Sequence, residues 1–125
     1  TANALGVDAV VFVGDCASAF AAKTARASMG ALFRQPVLEL SLDELTVLLH
    51  NKGMSLYGAA LSDRAQDVRQ VSLSRSAVAI GSEGQGLSGR LLAACDGEII
   101  IPMEPESESL NAGVAASIIM WEMCR

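Results

Sequence analysis

AVAIGSEGQGLSGRLLAACDGEIIIP, Ala77 to Pro102, decides the fold class. Ala77–Ile80 is a short apolar run, long enough for a buried strand, and it breaks into the glycine-rich stretch Gly81-Ser82-Glu83-Gly84-Gln85-Gly86. Leu87–Cys95 then has helical composition, and Glu98–Ile101 is a second continuous apolar run stopped by Pro102. Two unbroken apolar strands joined through a helix form the unit of a parallel sheet, because strands buried on both faces do not alternate polar with apolar residues.

The same rhythm extends in both directions. Upstream, Asp8–Val13 reads as a strand ended by Gly14, Ser18–Ala27 as an alanine-rich helix, and Pro36–Leu40 as a second strand. Ser41-Leu42-Asp43-Glu44 is a capping box that opens a helix with Leu45, Leu48 and Leu49 on one face and Gly53 as its stop. Ser55–Leu61 follows as a strand and Ser62–Ser76 as a polar surface loop with a little helix. Downstream, Ser109–Cys124 reads as a last helix, apolar almost all round, which must be covered on several sides by its own fold or by a partner. The expectation is a single α/β domain over residues 1–125, with a mostly parallel sheet and helices on both faces.

Composition narrows the function. Of 125 residues, 51% are hydrophobic and 18% charged, which excludes a disordered chain. The net charge of −5 argues against a generally basic nucleic-acid module, although Lys23, Arg26 and Arg34 cluster in one stretch. Asp96, Glu98, Glu104, Glu106 and Glu108 cluster late; their irregular spacing reads as a solvated acidic loop rather than a metal site. The three cysteines, Cys16, Cys95 and Cys124, form no CxxC pair and read as free buried thiols. His50 is the single histidine and lies inside the capped helix, so neither a zinc site nor a Ser-His-Asp hydrolase is expected. The longest apolar run, Leu110–Trp121, is too short to span a membrane.

Two loops leave predicted strands at the end where ligands bind in parallel α/β sheets: Gly81–Gly86, and Ile101-Pro102 on to Ser109-Leu110-Asn111. The glycine spacing G-x-x-G-x-G reverses the dinucleotide fingerprint, and Leu87 stands where a P-loop needs lysine. Glu83 repels phosphate, so the loop suits backbone approach to a neutral or cationic ligand. Read structurally, it is a strand-to-helix turn, Ser107 or Ser109 is a helix N-cap, and Asn111 is a first-turn residue.

IGSEGQGLS (Ile80–Ser88) and IPMEPESESLNAGVAAS (Ile101–Ser117) together resemble the second and third motifs of the SpoU/TrmH family of RNA methyltransferases, within the SPOUT superfamily. RASMGALF (Arg26–Phe33) is similar to the stretch that family places between its first and second motifs. The resemblance implies an enzyme that uses S-adenosylmethionine to methylate a ribose 2′-hydroxyl in tRNA or rRNA. It further implies a deep C-terminal trefoil knot, a homodimer, a cytoplasmic location, and no metal or membrane. By position it implies cofactor contacts at Ile80, Gly81, Gly84, Gly86, Ile101, Met103, Leu110 and Ala115, with Gly84 leaving space for the ligand. It implies catalytic-pocket roles for Glu83, Ser109 and Asn111, and an RNA contact at Arg26. The family's first motif carries an asparagine and an arginine and is expected just ahead of Thr1. The expectation is therefore a catalytic domain truncated at its N-terminus, which holds cofactor but transfers methyl groups weakly. The other reading is a knotted module that binds cofactor or dimerises without turnover.

Overall fold

The computed structural model describes residues 1–14 and 22–125. In chain order the elements are β1 (Val10–Val13), α1 (Ala22–Ala27), β2 (Val37–Leu40), α2 (Leu42–Asn51), β3 (Ser55–Ala59), β4 (Gln66–Asp67), β5 (Ser76–Ala79), α3 (Gly89–Ala94), β6 (Gly97–Ile100) and α4 (Ala112–Cys124). Short 3-10 turns lie at Ala31–Phe33 and Val68–Gln70. The amino-terminal part of the helix expected over 18–27, and Cys16, lie outside the described residues.

Among the described residues every strand pairing is parallel, as the unbroken apolar runs led one to expect. β1 pairs with β2, Val10 opposite Val37. The other strands form a four-stranded sheet in the order β4-β6-β3-β5. β6 is the last strand made, yet it lies between β3 and β4, which are already joined through residues 60–65.

Alternation along β3 sorts the layers. Leu56 joins Leu45 and Leu49 of α2 in one core cluster, on which Val11, Val13 and Leu40 of the β1–β2 pair also pack. One helix thus covers both sheets. Gly58, on the same face, lies under α3: an added Cβ would sit 3.1 Å from Cys95 Sγ and 3.3 Å from Leu92 Cδ2. On the opposite face Tyr57 and Ala59 pack on the second cluster, Val68, Leu73, Ile99 and Ile119. Ile99 of β6 and Ile119 of α4 are its fully buried centre, each worth about 1.5–3 kcal/mol in removal from water.

The capping box forms as written. Ser41 Oγ accepts from the Glu44 amide at 3.1 Å and Glu44 Oε1 accepts from the Ser41 amide at 2.9 Å. Gly53 (φ +62°) ends the helix, as expected. Other expectations need correction. The segment 62–76 is not merely a polar surface loop, because it holds β4 and two core residues, Val68 and Leu73. The strand over 55–61 ends at Ala59, where the chain turns across β6. The third helix starts at Gly89, because Ser88 caps it by accepting from the Leu91 amide.

The last helix starts at Ala112 rather than Ser109, and its N-cap is Asn111, not a serine. Only Ile119 of that helix is fully covered by this chain; Val114, Ile118 and Trp121 are exposed. The thiols are not both buried: Cys124 is exposed and donates to the Leu5 carbonyl, while Cys95 is half-buried. Burial, then Asp96 and Glu98, push the Cys95 thiol up from its ordinary value.

Candidate functional site

Strands β3, β5 and β6 end on one edge of the sheet, and the segments leaving them surround a cavity of about 390 Å³. The size lies within the range of roughly 300–1,000 Å³ usual for small-molecule sites. Its floor is apolar, from Ile99, Ile101, Leu92 and Ile119, and a few polar groups converge at its rim: Ser82, Glu83, Gln85 and Ser109.

The glycine loop owes its shape to its own backbone. Ser82 and Gly86 form an antiparallel bridge, with the Gly86 amide 2.9 Å from the Ser82 carbonyl. This closure brings residue 86 onto residue 81. An added Cβ at Gly81 would fall 2.1 Å from the Gly86 carbonyl carbon and 2.5 Å from the Leu87 amide, where no side chain fits. Gly81 is therefore required by close approach of two backbones. Gly84 is different: a Cβ there meets nothing within 4 Å, and Gly84 is absent from the cavity lining. No atom of this chain thus requires glycine at position 84, in contrast to position 81. Ile80, Gly81, Gly86, Ile101, Met103, Leu110 and Ala115 all line the cavity.

Glu83 and Asn111 lie 28 positions apart in sequence and meet directly. Glu83 Oε1 accepts from Asn111 Nδ2 at 2.6 Å and from the Ala112 amide at 3.1 Å. Asn111 uses its other atom to cap α4: Oδ1 accepts from the amides of Gly113 at 3.0 Å and Val114 at 3.2 Å. One amide side chain thus caps the helix and fixes the carboxylate, which also sits at the positive end of the helix dipole. Glu83 and Ser109 line the cavity; Asn111 acts one bond behind Glu83.

Arg26 lies exposed in the last turn of α1 and does not line the cavity. Sequence reading missed Ala60 and Leu61, which form another wall. Their only signal was their place after a strand facing this edge. Among the described residues no group of three or more His, Cys, Asp or Glu is arranged to hold a metal ion, and no helix is long and apolar enough to cross a membrane.

The amino-terminal segment follows α4 in the same direction. Leu5 receives the Cys124 thiol at 3.0 Å, and Thr1 Oγ1 lies 3.3 Å from Ser117 Oγ. Ser117, which Thr1 meets, lies six positions along the chain from Asn111, roughly 9 Å of helical rise.

A parallel α/β sheet with an apolar cavity at its strand ends and a carboxylate fixed at its rim defines a small-molecule-binding α/β domain. Comparison with known proteins makes the assignment specific. The model of the SpoU rRNA Methylase family matches residues 1–121, and the chain belongs to that family. It is 36% identical over 124 residues to the 23S rRNA (guanosine(2553)-2′-O)-methyltransferase RlmP of Bacillus subtilis, covering 98% of this chain and 50% of that protein. The SpoU methyltransferase AviRb from Streptomyces viridochromogenes, solved in complex with AdoMet, superposes with a TM-score of 0.91 at 29% identity, covering 99% of this chain and 49% of that one. An AdoMet-bound rRNA methyltransferase from Sinorhizobium meliloti gives 0.89 at 25% identity, over 98% and 47% of the two chains. The chain thus spans about half the length of these relatives.

Proposed function

We propose that this chain is the cofactor-binding and catalytic domain of an S-adenosylmethionine-dependent RNA methyltransferase acting on a ribose 2′-hydroxyl of rRNA or tRNA. The observation that carries the reading is one cavity walled by both motif loops, Ile80–Gly86 and Ile101–Leu110, in a family with AdoMet-bound members. The residues present fit that cofactor. The closed Gly81–Gly86 loop presents main chain rather than side chains, the floor is apolar, and the rim carries hydroxyls and a carboxylate.

When bound, S-adenosylmethionine supplies a methyl group already activated on a sulfonium, so the acceptor oxygen needs in-line placement and loss of a proton. The chain's own residues do the placing. Backbone groups of Ile80–Gly86 and Ile101–Leu110 hold the adenosyl moiety. Ser109, with a hydroxyl at the cavity rim, hydrogen-bonds the incoming ribose. Glu83, fixed by Asn111 and the Ala112 amide, supplies a carboxylate that does not reorganise when the substrate arrives. The family reading adds an arginine just ahead of Thr1. The course of residues 1–5 along α4 supports it, since chain continued in that direction heads toward Asn111. Arg26, Lys23 and Arg34 offer RNA a local basic face on an acidic protein.

The trefoil knot belongs to the same reading. In its support, β6 sits between strands already joined, with Ser62 and Arg64 of that connection on Glu98 and with Val68 and Leu73 around Ile99 on the opposite face. A homodimer belongs to it as well, formed over Val114, Ile118 and Trp121, and so does action in the cytoplasm on cellular RNA.

The test is transfer of a tritiated methyl group to rRNA and tRNA by this chain, alone and extended upstream through an arginine-bearing motif of the family, followed by alkaline hydrolysis. Label in an alkali-resistant dinucleotide is expected, because a 2′-O-methyl group blocks cleavage. Label released entirely as mononucleotides places the methyl on a base and overturns the ribose assignment.

A further inference from the structure

Glu98 is a carboxylate in the middle of a buried strand. It lies on the face of β6 opposite Ile99, beside Gly58 of β3, and its side chain is only 11% exposed. Removing a carboxylate from water is costly unless its oxygens are satisfied. Both oxygens are satisfied by one turn. Oε1 accepts from the Ser62 hydroxyl at 2.9 Å, and Oε2 lies 3.1 Å from Arg64 Nη2. Ser62 binds the turn from within: its Oγ accepts from the Arg64 amide at 3.3 Å and its carbonyl from the Ala65 amide at 3.1 Å. This turn carries Ala60 and Leu61, the cavity wall that the family motifs do not include. Leu61 is 63% exposed, an aliphatic side chain standing at the cavity with little protein over it.

The sheet itself has no use for a charge at position 98, where the neighbouring strand residues Ile99 and Ile100 are apolar. Arg64 is 84% exposed, so its ion pair contributes little stability by itself. The geometry points to Glu98 as a positioning residue: through Ser62 and Arg64 it holds the Ala60–Leu61 wall against the cofactor cavity, and Leu61 covers the bound ligand. Glu98 itself does not line the cavity. The inference rests on the cofactor reading above. It predicts that losing Glu98 loosens the wall and speeds ligand release while every group that touches the ligand remains present.

The test is calorimetric titration of the chain with S-adenosylhomocysteine in a double-mutant cycle. Glu98→Ala and Leu61→Ala each weaken binding roughly tenfold, the scale of one lost hydrogen bond or partly covered side chain. The double variant is no weaker than the worse single one, because both act through the same wall. Glu98→Gln, which still accepts from Ser62, stays within about threefold of the unchanged chain. Circular dichroism checks folding. If Glu98→Ala fails to fold, Ser62→Ala takes its place in the cycle with the same expected loss and the same non-additivity. Unchanged affinity, or losses that add, overturns the positioning role. Absence of binding by the unchanged, folded chain overturns the cofactor reading itself.

Discussion

The carboxyl-end edge of the sheet and the outer face of α4 are both surfaces that the chain leaves open, in opposite ways. The edge is concave, with small residues and main chain at Gly81 and Gly86 and with polar groups converging at Glu83 and Ser109. The outer face of α4 offers Val114, Ile118 and Trp121, large, apolar and exposed. A concavity with a few fixed polar groups suits a small molecule. An uncovered apolar strip with an aromatic anchor suits another protein surface. The same helix serves both: Asn111 and Ala115 belong to the cavity side, Trp121 to the open strip, and Ile119 between them closes the core.

The largest expected effect separates two glycines of one loop. Gly81→Ala forces a methyl group into the Gly86 backbone, so the loop must open; binding of S-adenosylmethionine falls below detection and stability drops by about 1–3 kcal/mol. Gly84→Ala adds the same methyl group to open space and leaves affinity unchanged and stability within about 0.5 kcal/mol. Titration and thermal unfolding of the pair read both quantities. Equal behaviour of the two variants would break the concave half of the comparison.

The apolar half is tested by Trp121→Glu, which places a charge on the exposed strip. Sedimentation equilibrium should show the unchanged chain as a dimer and the variant weakened by about 2 kcal/mol or more, the scale of an aromatic interface anchor. A monomer in both cases contradicts the dimer.

Asn111→Ala comes next. It removes the N-cap of α4, worth about 1 kcal/mol, and releases Glu83 from its 2.6 Å bond. Asn111→Asp keeps the cap acceptor but loses the donor to Glu83. Chemical denaturation should therefore show stability recovered in the aspartate variant, whereas methyl transfer stays low in both. Recovery of activity by aspartate would show that the Glu83 contact is dispensable.

The smallest effect is a control remote from both surfaces. The Ser41 backbone amide, then its hydroxyl, hold the Glu44 carboxyl below its ordinary value of 4.5. A depressed folded value means that this contribution is present in full above the unfolded value and is lost as pH falls through the folded one. Glu44→Gln should thus unfold at lower temperature than the unchanged chain near neutral pH, with the gap closing as pH drops from about 6 to about 3. A gap that does not close assigns the difference to something other than the charge.

Much of this was legible in the sequence because the deciding signals are local. Unbroken apolar runs implied parallel pairing, and Ser41 with Glu44 specified a helix start that formed as written. The motif loops were placed at strand ends because glycine stops one run, at Gly81, and proline the other, at Pro102. The failures share a cause: each was decided by a contact distant in sequence. Ser107, Ser109 and Asn111 are all competent caps, and Glu83 accompanies the choice of Asn111 by binding its amide. The spacing of the three loop glycines does not reveal that Gly81, rather than Gly84, meets the backbone of Gly86. Val68 and Leu73 sit in a polar stretch and become core because β6 and α4 come to lie over them. Leu61 joined the cavity because Glu98, 37 positions on, holds the turn that follows it.

The central claim is that the motif loops enclose an S-adenosylmethionine site, and amide chemical-shift mapping during titration of the labelled chain with that cofactor tests it most directly. Saturable shifts confined to amides of Ala60–Leu61, Gly81–Leu87 and Ile101–Ala112, with the opposite end of the sheet around Lys52–Ser55 unmoved, are the predicted result. No shifts at saturating cofactor, or shifts centred away from these loops, would contradict it.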